Sequence, residues 1–71
     1  MNNDIVLTDK GERVMEVLTS RQVKEHNPMT SKEVAEIAGM NPRSVPGVLT
    51  SLYNKGLVGK TEDKPRKFYL I

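Results

Sequence analysis

The sequence predicts a mainly α fold with a small β-hairpin (α+β), three helices followed by two strands. Three observations carry that prediction. Thr30-Ser31-Lys32-Glu33 and Asn41-Pro42 are helix-start signatures, each followed by apolar residues at helical spacing. Gly39 and Gly56 stand where those helices would stop. Leu57–Lys60 and Arg66–Ile71 then read as two extended runs separated by the turn Thr61-Glu62-Asp63-Lys64-Pro65.

The elements follow in order. Thr8 or Asp9 can cap a first helix, and Asp9 precedes Glu12 at capping-box spacing. Val14, Val17 and Leu18 share one face, which predicts a helix over about residues 9–24 with Val23 off that face. Asn27-Pro28 closes it, because the residue before proline avoids the helical region. Ahead of it, Ile5-Val6-Leu7 is an apolar patch that either adds a third short strand or seals the core. Met29 and Met40 read as apolar plugs in the connectors. The second helix covers about 31–38, with Val34, Ile37 and Ala38 as its buried stripe. The third covers about 42–55, with Asn41 as cap, Pro42 in first position, and Val45, Val48, Leu49 and Leu52 facing the core. The hairpin covers about 57–71 with Phe68 and Leu70 on one face. Tyr53 and Tyr69 are each read as covering the hairpin, with stacking on a base as the other use of either ring. The expected organisation is one domain, 1–71.

Composition narrows the function classes. A chain of 71 residues closes one core, not two. It holds no cysteine, which excludes disulfides and thiolate metal sites and makes a cytoplasmic location the expectation. His26 is the one histidine and has no companion at ligand spacing, so neither metal nor cofactor is expected. No apolar run is long enough for a membrane span or signal peptide. Glu12, Glu16, Glu33 and Glu36 read as caps and solvated partners of neighbouring lysines, and no phosphate loop or nucleophile motif is present, so an enzyme is not expected.

The net charge of +2 is unevenly divided. Residues 1–40 hold five Lys/Arg against seven Asp/Glu; residues 41–71 hold six against two. The positive potential of the second half points to a polyanionic partner.

The stretch from Met29 to Lys60, MTSKEVAEIAGMNPRSVPGVLTSLYNKGLVGK, carries a resemblance. A threonine-capped short helix, a glycine, a capped second helix and then L-x-x-K-G-L-V form a helix-turn-helix, and a basic hairpin follows at once. This resembles the winged helix-turn-helix regulators of bacteria and phages, the MarR and IclR groups among them. The likeness extends to the first helix and the hairpin. It implies that the third helix lies in the major groove, that the Lys64–Lys67 wing meets phosphates or the minor groove, and that Lys32 sits near a phosphate.

The residues of that helix support the implication independently. Opposite its core stripe lie Arg43, Gly47, Thr50 and Asn54, flanked by Pro46 and Ser51, with no acid among them. Arg43 can hold guanine O6 and N7 together, and the hydroxyls and amide can reach phosphates or base edges. The candidate DNA-binding residues are therefore Lys32, Asn41, Arg43, Ser44, Gly47, Thr50, Ser51, Asn54, Lys60, Lys64, Arg66 and Lys67. Pro46-Gly47 departs from the pattern, since related regulators place polar or basic side chains there. Base recognition then rests on Arg43 and on DNA shape.

The expected function is a double-stranded DNA-binding transcriptional regulator. The alternative is a winged-helix protein-interaction module, an antirepressor or a polymerase or replication-complex adaptor, using the Pro46-Gly47 surface. The long dimerisation helices of MarR-type regulators are not expected in a chain of this length. A weak homodimer or a larger protein assembly is expected, with no membrane partner and no small-molecule effector evident.

Overall fold

Thr8, not Asp9, caps the first helix, its hydroxyl accepting from the Gly11 N–H at 3.0 Å. In the computed structural model, which describes residues 7–62 and 64–71, the order is α1 (Asp9–Ser20), β1 (Met29–Thr30), α2 (Ser31–Ala38), α3 (Val45–Asn54), β2 (Val58–Lys60) and β3 (Lys67–Leu70). Three helices and an antiparallel three-stranded sheet make the winged-helix arrangement.

All three helices end the same way. A residue with positive φ follows each, Gln22 (52°), Gly39 (69°) and Gly56 (78°). The next residue's N–H then reaches back five positions: Val23 to Leu18, Met40 to Ala35, Leu57 to Leu52. This closure satisfies carbonyls that the helix ends would otherwise orphan, and it turns an apolar residue back towards the core. It also corrects the length of α1, expected to about residue 24. Gln22 breaks the helix, and Val23, off the helical face by periodicity, is carried into the core at 1% exposure.

The start of α3 differs from expectation as well. Asn41 Oδ1 accepts from the Arg43 N–H at 2.8 Å, and its carbonyl accepts from Ser44 at 2.9 Å. Residues 41–44 thus form a tight turn, and the helix begins at Val45 rather than 42. Proline explains the choice. In a helix from residue 42, Pro46 would forfeit a bond to the residue-42 carbonyl; in one from residue 45 its missing N–H falls in the first turn, where none is needed.

Val14, Val17 and Leu18 of α1, Val34, Ala35 and Ala38 of α2, Val45, Leu49 and Leu52 of α3, and Val23, Val58 and Phe68 form the core. Ile37, expected inside, is 39% exposed, while Ala35 takes its place. The buried stripe of α2 is centred between Val34 and Ala35, which leaves Ile37 at its margin. Val48, assigned to the α3 core stripe, is only half-buried and packs at its edge.

Sheet order is β1-β3-β2. Met29 and Thr30 pair with Phe68 and Lys67; Val58, Gly59 and Lys60 pair with Leu70, Tyr69 and Phe68. The third strand thus comes from the connector before α2. Of the Ile5–Leu7 patch, Ile5 and Val6 lie outside the described residues, and Leu7 packs half-buried on the core. The Leu70 N–H bonds the Val23 carbonyl at 2.8 Å, tying the sheet to the exit of α1. Tyr69 lies across its partner Gly59 so closely that a Cβ there would stand 2.5–2.7 Å from the ring and hydroxyl.

Candidate nucleic-acid interface

The capping box Thr30–Glu33 fixes α2, with Glu33 N–H to Thr30 Oγ1 at 3.2 Å and Thr30 N–H to Glu33 Oε1 at 2.9 Å. Arg13 of α1 donates to the Ala38 carbonyl at 3.2 Å, holding the other end. This frame presents α3 through the buried side chains of Val45, Leu49 and Leu52.

At about 100° per residue, Gly47, Thr50 and Asn54 fall within roughly 60° of one another on the side away from that stripe. All three are exposed. A Cβ at Gly47 would meet nothing within 4 Å, and its φ is not positive. Neither the backbone nor the packing of this chain therefore requires glycine there. Ser51 is exposed too, and its hydroxyl accepts from Lys55 Nζ at 2.8 Å. Ser44 is half-buried in the N-cap position and makes no side-chain cap. Arg43, placed by sequence on the helix face, instead sits exposed in the turn before α3, and the side-chain oxygen of Asn41 is engaged within that turn.

The cations divide into three groups. Lys32 is exposed in the first turn of α2. Lys64 and Arg66 are exposed in the connection between β2 and β3, and Lys67 is half-buried at the start of β3. There the Lys67 N–H donates to Thr61 Oγ1 at 3.0 Å and the Thr61 N–H donates to the Lys67 carbonyl at 2.9 Å, closing the base of the hairpin. Lys60 ends β2, and its Nζ stands 4.4 Å from the centre of the Tyr53 ring on α3. The structure thus joins Lys60 to the helix, while Lys64 and Arg66 stand out on the connection.

Sequence reasoning passes over Lys10 and Lys55. Together with Thr8, Ser44, Gly47 and Ser51 they line an open groove of about 420 Å3 between the first turn of α1 and one flank of α3. A lysine at a helix end has the same sequence signature whether it faces solvent or a groove. Among the described residues no group of three or more His, Cys, Asp or Glu could hold a metal, and no helix is long and apolar enough to cross a membrane.

Residues 13–71 match the family described as sugar-specific transcriptional regulator TrmB. No curated protein and no solved structure matches the chain.

Proposed function

The chain belongs to the TrmB family of sugar-specific transcriptional regulators, and from that premise we propose that it binds duplex DNA with α3 in the major groove and the β2–β3 connection on the flanking backbone. Sugar specificity is stated of the family, and we extend only its DNA-binding half to this chain. The observation that carries the reading is the outer face of α3, where Gly47, Thr50 and Asn54 stand exposed with no acidic residue between Asn41 and Lys55. A groove lined with phosphates disfavours carboxylates there except where one reads a cytosine amine, whereas an ordinary solvated helix face commonly carries some.

Roles divide by chemistry. Lys32, Lys60, Lys64, Arg66 and Lys67 are point charges for phosphates and give affinity without sequence preference. Arg43, just ahead of the helix, offers the two-pronged donor suited to guanine. Asn41, Ser44 and Ser51 serve as short polar groups along the helix start and flank. The small surface of one module favours modest affinity per copy, so tight binding calls for a second copy or an assembly.

The test is fluorescence anisotropy with duplex DNA over a range of salt. With four or five phosphates neutralised, log K falls against log salt with a slope of about −4. Absence of duplex binding at low salt removes the proposal. Lys64→Ala and Arg66→Ala weaken all sequences alike, while Arg43→Ala relaxes preference at one base position by about 1–3 kcal/mol. Equal losses on every sequence for all three would deny Arg43 a base contact.

A further inference from the structure

Lys60 is held differently from the other candidate phosphate ligands. Its register opposite Phe68 places it on the inner face of the sheet, the face that packs on the helices, and at the last residue of β2. From there its ammonium reaches the Tyr53 ring, 4.4 Å from the centroid. Among the described residues it has no hydrogen bond or ion pair besides that contact. Tyr53 is one of the few large apolar-bodied side chains left open, at 40% exposure, and lies on the flank of α3 that borders the Pro46–Thr50 side of the helix.

The chemistry of the partner matters. A carboxylate beside Lys60 would neutralise it and compete with any incoming anion. A ring face attracts the cation electrostatically but leaves its charge and its N–H donors available outward. Fixing the flexible lysine stem before binding also reduces the ordering that binding must otherwise impose. The pair sits where the recognition helix meets the hairpin, so a cation held there faces whatever backbone runs between those two elements.

Resting on the DNA-binding reading above, we propose that Tyr53 is a positioning residue that holds Lys60 at the α3–β2 junction as a pre-oriented clamp for a single DNA phosphate. Tyr53 itself reads no base. Its effect on DNA passes through the Lys60 ammonium.

The experiment is a double-mutant cycle on the full chain, with a random-sequence duplex as probe and the salt slope as readout. Lys60→Ala lowers the magnitude of the slope by about one phosphate contact. Tyr53→Leu does the same in part and weakens binding by about two- to five-fold, the weight of one exposed cation–π contact. Tyr53→Phe keeps the ring and the wild-type slope, and Tyr53→Leu adds nothing once Lys60 is alanine. NMR supplies a reading independent of DNA: the Lys60 ε-methylene protons are shifted upfield by the ring, and Tyr53→Leu, but not Tyr53→Phe, abolishes the shift. A Tyr53→Leu loss of equal size with and without Lys60 overturns the inference, as does an unchanged slope in Lys60→Ala. If Lys64→Ala still lowers the slope in those cases, the DNA reading stands and only the clamp falls. If the wild type binds no duplex, both fall together.

Discussion

The two helices of the helix-turn-helix are built on opposite terms. In α2 both ends are announced by their residue types: Thr30 and Glu33 close a full capping box, an acid sits in the first turn, and Gly39 supplies the left-handed stop. In α3 the rules are broken on the outer side. No side chain caps its start, its first turn has no acid, and it carries a Gly47 that nothing in the fold requires. The core side of α3 is as well made as that of α2, with Val45 and Leu49 at 0% exposure. Local consistency thus lapses only where the helix faces outward, as expected of a surface shaped for a partner.

Substitutions can break or sharpen this contrast. The largest effect is expected at Gly39, where alanine must adopt a left-handed backbone. Gly39→Ala should cost about 1–2 kcal/mol, seen as a fall in melting temperature of roughly 4–8 °C per kcal/mol for a chain this size. Thr30→Ala removes the capping box and should cost about 1 kcal/mol, measured by urea denaturation. In α3 the sign reverses. Gly47→Ala should raise stability by up to about 1 kcal/mol, because the site is helical and open. Gly47→Arg tests the partner as well, adding a cation to the outer face and steepening the salt slope by about one phosphate. Higher stability with unchanged or lower DNA affinity would favour a protein partner at the Pro46-Gly47 surface. Smallest of all, Ser44→Ala should shift stability by less than about 0.5 kcal/mol, since that side chain caps nothing.

The same contrast explains what could be read in advance. The bounds of α2 were legible because each end is announced by a residue type with one physical use. The end of α1 was not, because Gln22 occupies the left-handed position that glycine holds after α2 and α3. Gln22→Gly should therefore stabilise the chain by up to about 1 kcal/mol. Asn41-Pro42 fits two structures equally well from sequence, a helix cap and a tight turn. Pro46 decides between them only once the helical bonding is counted. β1 spans two residues, too few to show any alternation. The cationic side chains were recognisable by type, but the Tyr53–Lys60 contact depends on the register of β2 against β3, which no local pattern encodes.

The middle strand of the sheet is the one synthesised last. β3 lies between β1 and β2, which do not pair with each other. On the ribosome the three helices, whose hydrogen bonds are all short-range, can form while residues 67–70 are still within the exit tunnel. The sheet has to wait, since both outer strands need β3 and its Leu70 N–H must find Val23, 47 positions back along the chain. Contacts of that span close slowly because the loop's entropy is lost before they form. Until β3 emerges, β1 and β2 have no strand to pair with, so among these elements the sheet is the last to become rigid.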